Sequence, residues 1–556
     1  VSLAAACILA VGVATAAEPA AKAEKPAAKP RKPRVLVTIS KETTRITEPL
    51  RSDGYPDYLA ALNQRVSRGV TPENNASVLF WQATGWPGDH EGIRARYFEL
   101  LGVPAPPEEG DYFVELDEYV RRLENPEDPE AVQLDPDQQD KLWDNQAEAM
   151  GRPWSAKEFP QVAGWLAANQ KPLALVVEGS RRPRRYAPLV TGDEDGAAML
   201  IAVLLPEIQT HREFARALTA RAMLRLHEGK VDEAWADILA CHRVARLSGQ
   251  GPTLIDALVG IAVEGIACTA DEALLRHARL TAAQAARMEK DLAGLPPMGT
   301  MVDKIDTAER FMFLDSVTLI AREGVHTINR LSDGSGEKPG RFAKFMMDLA
   351  TRATIDWDVI LRMGNTWYDR MVAAHRHPTR AQRQEAFGLI DDDIQKLVEK
   401  ARDPKSLAFA LLGNPRKAVT QRMGSIFIAL LLPAITAAST AEDRGTMRFE
   451  VTRLGFALAA YRADRGAYPA KLAELVPKYR SEVPADLFTG KPLRYRREGD
   501  GYLLYSVGVN GNDDGGRGRD DRDKLEDEQW GEKDWDDLSV RVPASNKAKG
   551  PKRPKP

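Results

Sequence analysis

Apolar residues recur at i, i+3, i+4 and i+7 along most of this chain, the spacing that puts one stripe on a helix. The pattern is strongest over 197–285. It continues over 302–323, 341–352, 354–376 and 379–401. Weaker helical segments are predicted upstream. One opens at Tyr55-Pro56-Asp57 and ends at Gly69; another opens at Thr71-Pro72-Glu73 and runs to Gly85. Thr71 would be an N-cap there, with Pro72 at the first helical position. Further segments fall at 90–101, 114–124, 136–150 and 155–169, joined by acidic, proline-rich loops such as PAPPEEGD. Strand-like alternation is confined to short pieces: VLVTIS from Val35, LRYRR from Leu493 and GYLLYSV from Gly501. The last two are joined through Glu498-Gly499-Asp500 and predict a small antiparallel hairpin.

The predicted fold class is therefore mainly α: a large helical body followed by a small α+β domain in which a long helix covers a short sheet. The chain has 556 residues, enough for several domains. The division expected is an irregular helical domain over 35–200, a helical bundle over 201–411 and the α+β domain over 412–543. Residues 1–16 fit a secretory signal: an apolar run at 3–14 precedes the small-x-small triplet Ala14-Thr15-Ala16. Export to the periplasm, envelope or exterior is the localisation expected. Residues 17–34 are an Ala, Lys and Pro-rich linker, and 544–556 form a basic tail. Residues 425–439 (SIFIALLLPAITAAS) are apolar but short of the roughly 20 residues that span a bilayer. They are expected to be a buried helix, with membrane contact as the alternative.

Composition narrows function by exclusion. Hydrophobic residues are 43 % and charged residues 28 %, an ordinary globular balance, and the net charge of -3 argues against nucleic acid as a partner. Cys241 and Cys268 lie on opposite sides of the turn near Gly249, at heights differing by about 12 Å along their helices. Two buried thiols are expected rather than a bridge. The helical region contains no HExxH, GxSxG, Walker loop or CxxC. His375 and His377 are two apart and share no helix face. His227 and His242 read as packing residues, Glu309-Arg310 as a salt-bridged helix face, and the basic run Arg181 to Arg185 as a solvated loop.

The acidic stretch from Tyr505 to Asp537 holds 12 acidic and 5 basic residues, a net of -7. Hard dications take six to eight oxygens from carboxylates, amides and backbone carbonyls, and glycine lets the backbone fold around them. Asn510, Asn512 and Asp514 fall at positions 1, 3 and 5 of a calcium-loop spacing, Gly515 at 6 and Asp521 at 12. The candidate metal residues are Asn510, Asn512, Asp514, Gly516, Asp520 and Asp521, with calcium as the ion. A solvated loop that aids solubility is the competing reading, because Arg517, Arg519 and Arg522 could neutralise the aspartates.

Two resemblances follow. ALTARAMLRLHEGKVDEAWADILACHRVARL resembles one helix-turn-helix unit of the tetratricopeptide type, with Gly229 and Ala234 at the small positions; no second copy recurs at a 34-residue period. Residues 425–540 resemble the major pseudopilins of the type II secretion system and related type IV pilin-like proteins. The matching residues are Ala457-Leu458, Tyr461, Gly466, Tyr468-Pro469, Leu472, Leu475, Pro484-Ala485-Asp486, Gly490-Lys491-Pro492, Tyr495 and Tyr505-Ser506-Val507-Gly508. ALLLPAITAAS would be the second half of a pilin helix, with Pro433 at its kink; MGSIFIA lacks the early glutamate of such helices. The resemblance implies a helix on a sheet and calcium in the acidic loop. The function expected is an exported, non-enzymatic envelope or secretion-associated protein with a protein partner. The alternatives are an exported enzyme with its site in the helical body, which a deep pocket of clustered carboxylates or histidines would favour, and a helical adaptor, which a smooth apolar groove would favour.

Overall fold

The computed structural model describes residues 35–129, 132–192, 200, 203, 205–324, 355–402, 414–432, 435–522 and 534–543. The expected signal, linker, basic tail, 341–352 helix and Pro433 kink lie outside them. Among the described residues helix accounts for 61 % and strand for 5 %, so they are mainly α with one small sheet. In order the helices are α1 (Tyr58–Val66), α2 (Ala76–Thr84), α3 (Glu91–Leu101), α4 (Leu116–Glu124), α5 (Pro136–Gly151), α6 (Pro160–Ala168), α7 (Gln170–Gly179), α8 (Thr210–His227), α9 (Val231–Ser248), α10 (Leu254–His277), α11 (Ala282–Ala293), α12 (Arg310–Glu323), α13 (Trp357–His375), α14 (Arg380–Arg402), α15 (Pro415–Leu431) and α16 (Ile435–Arg465). The strands β1 (Arg494–Glu498), β2 (Gly501–Ser506) and β3 (Leu538–Val542) form one antiparallel sheet in that order.

Two compact units run across the expected linear boundaries at 200 and 411. The first joins residues 1–66, 189–204 and 302–435. In it, α13 packs between α12 and α15, and α14 lies on both α13 and α15. Phe313 sits edge-on to Tyr368, and directly over Gly364, where a Cβ would come within 2.1 Å of its ring. Arg310 is fully buried, bonded to Asp306 at 2.7 Å and Asp369 at 2.8 Å. Arg310 is thus salt-bridged on its helix face as expected, with its own side chain buried and its carboxylate partners reaching toward solvent. VLVTIS forms no strand; the Leu36 and Thr38 amides donate instead to the Tyr55 hydroxyl and the Asp358 carboxylate. Phe427 and Ile428 of α15 are buried. The stretch Pro415–Arg465 includes an 18-residue window of mean hydropathy 1.8, long and apolar enough to cross a membrane, and 40 % of that window is buried.

The second unit joins residues 67–188, 205–301 and 436–556. The predicted hairpin is present as α8 and α9, turning at Gly229 in a left-handed conformation (φ +77°). The second helix of the N-terminal region starts later than expected. Asn75, not Thr71, is the cap of α2, its side chain accepting from the Ser77 amide. The asparagine is held there because its amide also donates to the Tyr186 carbonyl.

One apolar core runs through the whole second unit. It includes Phe214 and Leu218 of α8, Ile238 of α9, Leu274 of α10, Val451 and Leu454 of α16, and Tyr502 and Val540 of the sheet. The inner face of the sheet therefore shares its core with the helical body. Helix α16 crosses it at Gly455, where an added Cβ would lie 2.8 Å from Leu275 and 3.2 Å from the Tyr502 hydroxyl. Around it, Glu289 of α11 takes Arg453 at 2.8 Å and Arg480 at 2.9 Å, and Glu450 takes both arginines as well.

Helices α9 and α10 touch backbone to backbone at Gly260, whose ideal Cβ would lie 2.9 Å from the Ala245 carbonyl oxygen and 3.0 Å from the Gly249 nitrogen. Overpacking of this kind costs about 1–3 kcal/mol, against a helix-propensity gain of about 1 kcal/mol for alanine. Neither backbone group can swing away, so Gly260→Ala is expected to lower the unfolding free energy by about 1–2 kcal/mol. Gly265→Ala on the same helix meets only the Arg448 guanidinium at 3.7 Å. It should be neutral or stabilising in the same urea titration.

Candidate metal centre in the acidic loop

Strand β2 is buried at all six positions. Tyr502 and Leu504 face the common core, while Leu503, Tyr505 and Val507 form a second cluster on the opposite face. The acidic loop covers that second face. Gly516, at φ +81°, lies so close to Leu503 that a Cβ would sit 2.8 Å from its methyl carbons. The Tyr505 hydroxyl donates to Asp513 at 2.7 Å. Glycines at positive φ (508, 511, 515 and 516) let the chain fold back onto the strand. The loop is thus the second cover of a sheet that is otherwise one-sided.

The six sequence-predicted residues do not converge as the spacing suggests. The Asn510 side-chain oxygen accepts from the Asn512 amide at 2.7 Å, a local Asx turn, and Asn512 is exposed. The Asn510 amide bridges the Asp514 carboxylate (3.3 Å) and the Asp534 carbonyl (2.5 Å). Gly516 donates its amide to Asp537 at 2.7 Å. Asp521 accepts from the Gly518 amide at 3.1 Å, serving the start of the short helix Arg519–Arg522. The Asp520 side chain lies outside the described residues. Among the described residues, no group of three or more His, Cys, Asp or Glu side chains is arranged to hold a metal ion.

Two carboxylates that the spacing omitted come in from beyond the loop, at the entry to β3. Asp536 and Asp537 are only 4 % and 3 % exposed. Asp536 accepts from the Val509 amide at 2.9 Å and from Arg444 at 3.1 Å, yet its second oxygen is buried without a hydrogen-bond partner. So is the second oxygen of Asp537. Burial, with Asp514 and Asp513 nearby, pushes the Asp537 carboxyl up to about 7. Arg517 does not quench this charge. Arg517 lies 4.5 Å over the Trp535 ring and donates to the Asp514 carbonyl, not its carboxylate. A cation next to Asp514 and Asp537 would relieve both the repulsion and the unpartnered oxygen of Asp537. A spacing rule could not find this pair, because it is folded back from 22 residues after Asp514.

The histidines and the basic run also find definite places. Arg185 is buried, bonded to Asp256 at 3.0 Å, with Glu207 at 3.5 Å. Arg182 donates to the Pro72 and Asn75 carbonyls, so the run Arg181 to Arg185 is partly interior, not simply solvated. His211 lies between Glu207 (3.2 Å) and Ser248 (2.8 Å). His375 stands edge-on to Phe387 at 4.9 Å, and burial with Arg383 nearby pulls it down to about 4. Cys241 and Cys268 are buried free thiols.

His242 is the most strongly held of these groups. Its ring nitrogens face Asp271 at 2.8 Å and Glu264 at 3.2 Å, and Glu264 also takes Arg246 at 2.9 Å. Burial alone would favour the neutral ring, but Glu264 and Asp271 outweigh it and push His242 up to about 9. Asp271 is itself raised, because its own burial outweighs the attraction of His242. The folded state therefore keeps a proton on His242 that the unfolded chain releases above about pH 6.5. Its stabilising contribution is full below that value and lost as pH rises through about 9. Urea unfolding of the wild type should weaken over this window by up to about 1.4 kcal/mol per pH unit. The His242→Gln variant should lack that component; equal slopes in the two proteins would remove the charged-histidine assignment. No protein-family model, curated protein or solved structure matches the chain.

Proposed function

We propose that this is an exported, non-enzymatic envelope or secretion-associated protein whose C-terminal lobe is pseudopilin-like and stabilised by calcium. The observation that carries the reading is Asp537, whose carboxylate has one buried oxygen with no hydrogen-bond partner and lies near Asp514 and Asp513. The ion would be held by Asp514 and Asp537, with oxygens of the Asn510 to Gly516 backbone completing its shell. The helix-on-sheet arrangement of α16 with β1 and β2 supports the pilin-like part. The third strand, β3, pairs with β2 and brings Asp536 and Asp537 to the sheet. A protein partner is part of this reading, with membrane contact at 425–439 as the alternative to a buried helix.

A second reading, an exported enzyme with its site in the helical body, is favoured by one observation. The second unit contains an open cleft of about 1080 Å³ whose lining includes Glu115, Asp117 and Glu213.

The full chain is the material for the calcium test, because the lobe shares its core with the helical body. Extracellular calcium modules bind at around 10⁻⁴–10⁻³ M. At 10 mM calcium such a site adds about 1.4–2.7 kcal/mol, a rise of several degrees in the melt of this unit. Asp514→Ala and Asp537→Asn should each abolish the rise. In chelator, the raised Asp537 carboxyl makes the lobe lose stability as pH climbs from about 4 through about 7, and calcium should remove that loss. Identical melts in calcium and chelator would leave the loop as a cover for the sheet and nothing more.

A further inference from the structure

The open cleft of the second unit is bordered by α4, α5, α8, α10 and α16. Its charged side chains are matched inside the protein. Asp117 pairs with Arg121 at 3.2 Å, Glu213 with Arg216, Arg444 with Asp536 at 3.1 Å and Arg448 with Glu272 at 3.6 Å. A charged ligand would have to draw one partner away from such a pair and leave the other charge unmet, which is costly. A neutral ligand would not. Paired carboxylates keep free lone pairs and paired guanidinium groups keep spare N–H groups, so the walls offer hydrogen bonds without offering net charge.

One lining group is unmet. Gln146 of α5 is only 7 % exposed, and its Nε2 is buried without a hydrogen-bond partner. A buried donor left in this state is unfavourable, and a ligand that brings an acceptor would relieve it. Gln146 is three residues from Trp143 and four from Met150, so the three share one face of α5, and all three line the cleft. Trp143 is 52 % exposed, unusual for so large an apolar side chain. Ile261 and Ile266 of α10 add further apolar surface.

A purely apolar ligand would cover Trp143 and leave Gln146 unmet; a purely polar one would do the reverse. A pyranose ring serves both. Its C–H face lies flat on an indole, and its rim of hydroxyls both accepts and donates. The volume of about 1080 Å³ lies at the upper end of small-molecule sites, with room for more than one ring. We infer that this cleft binds a neutral oligosaccharide, with one ring stacked on Trp143 and a ring substituent accepting from Gln146 Nε2. The inference is of binding alone. It does not rest on the calcium reading, and all measurements are made at one fixed calcium concentration.

The test is calorimetry and tryptophan fluorescence on the full chain with three probes: cellotetraose, tetra-N-acetylchitotetraose, and the cationic tetramer that removing the acetyl groups leaves. Saturable binding of at least one neutral tetramer is expected, and the cationic one should bind no tighter. Trp143→Phe keeps a ring and should keep the binding heat while losing the fluorescence change. Trp143→Ala should weaken binding about tenfold, equivalent to about 1.4 kcal/mol. Gln146→Met should weaken it by a similar factor and yet melt no lower than the wild type, because it removes a buried donor that has no partner. Loss of binding without loss of stability is a result that a merely structural glutamine would not give. The inference is overturned if neither neutral tetramer gives a saturable signal up to about 5 mM, if the cationic tetramer binds tighter, or if Trp143→Ala or Gln146→Met binds as tightly as the wild type.

Discussion

Three carboxylates buried along one helix constrain the second unit more than any other feature. Asp256, Glu264 and Asp271 of α10 are all inside the protein. Their separations of 8 and 7 residues keep them on one side of the helix. Removing a carboxylate from water costs several kcal/mol unless a charge and hydrogen bonds meet it. Each therefore requires its partner: Arg185 and Thr253 for Asp256, Arg246 and His242 for Glu264, His242 for Asp271. These partners come from the chain after α7 and from α9, so α10 can be buried only in one register against α9. The backbone contact at Gly260 fits the same register. Apolar packing supplies the bulk of the stabilisation, but an apolar face alone would tolerate a slipped arrangement that these charges do not.

The small sheet depends on this body. Its inner face is completed by α16 and α10, and its outer face by the acidic loop. A three-stranded sheet with only one face covered is marginal. Here β2 is buried on both sides and becomes the centre of a layered structure. The acidity of the cover follows from its position: its inner surface contacts Leu503 and Tyr505, and its carboxylates collect where the chain turns back to β3.

Much of the helical architecture was legible in the sequence because helix periodicity is local. The hairpin of α8 and α9, with Gly229 at its turn, needed no information from elsewhere in the chain. The start of α2 was not legible. Thr71-Pro72 is a good local signal, and it lost to Asn75 because Asn75 also bonds the Tyr186 carbonyl, more than a hundred residues away. VLVTIS failed as a strand for a similar reason: it has strand composition, but among the described residues no neighbouring strand pairs with it. In the candidate metal centre, Asn510 and Asp514 were legible from spacing, whereas Asp536 and Asp537 reach the loop only through the pairing of β3 with β2. Arg185 looked like part of a solvated basic run; its burial follows from Asp256 and Glu207, which no sequence window holds beside it.

The shared core also carries a consequence for how the molecule is made. The second unit is assembled from three separated stretches, the last beginning at residue 436. Until that stretch is present, the apolar surfaces of α9, α10 and α11 that meet Phe456, Val451 and Leu454 have nothing to cover them. A chain growing from its N-terminus thus carries an open hydrophobic cleft from the completion of α11 at residue 293 until α16 follows it. Contacts this distant in sequence form slowly, and unfilled clefts of this kind invite aggregation. The closing segment acts as a late-arriving keystone. A ribosome stall or proteolytic cut ahead of β3 would strand a long, nearly finished polypeptide in a form that chaperones and proteases recognise.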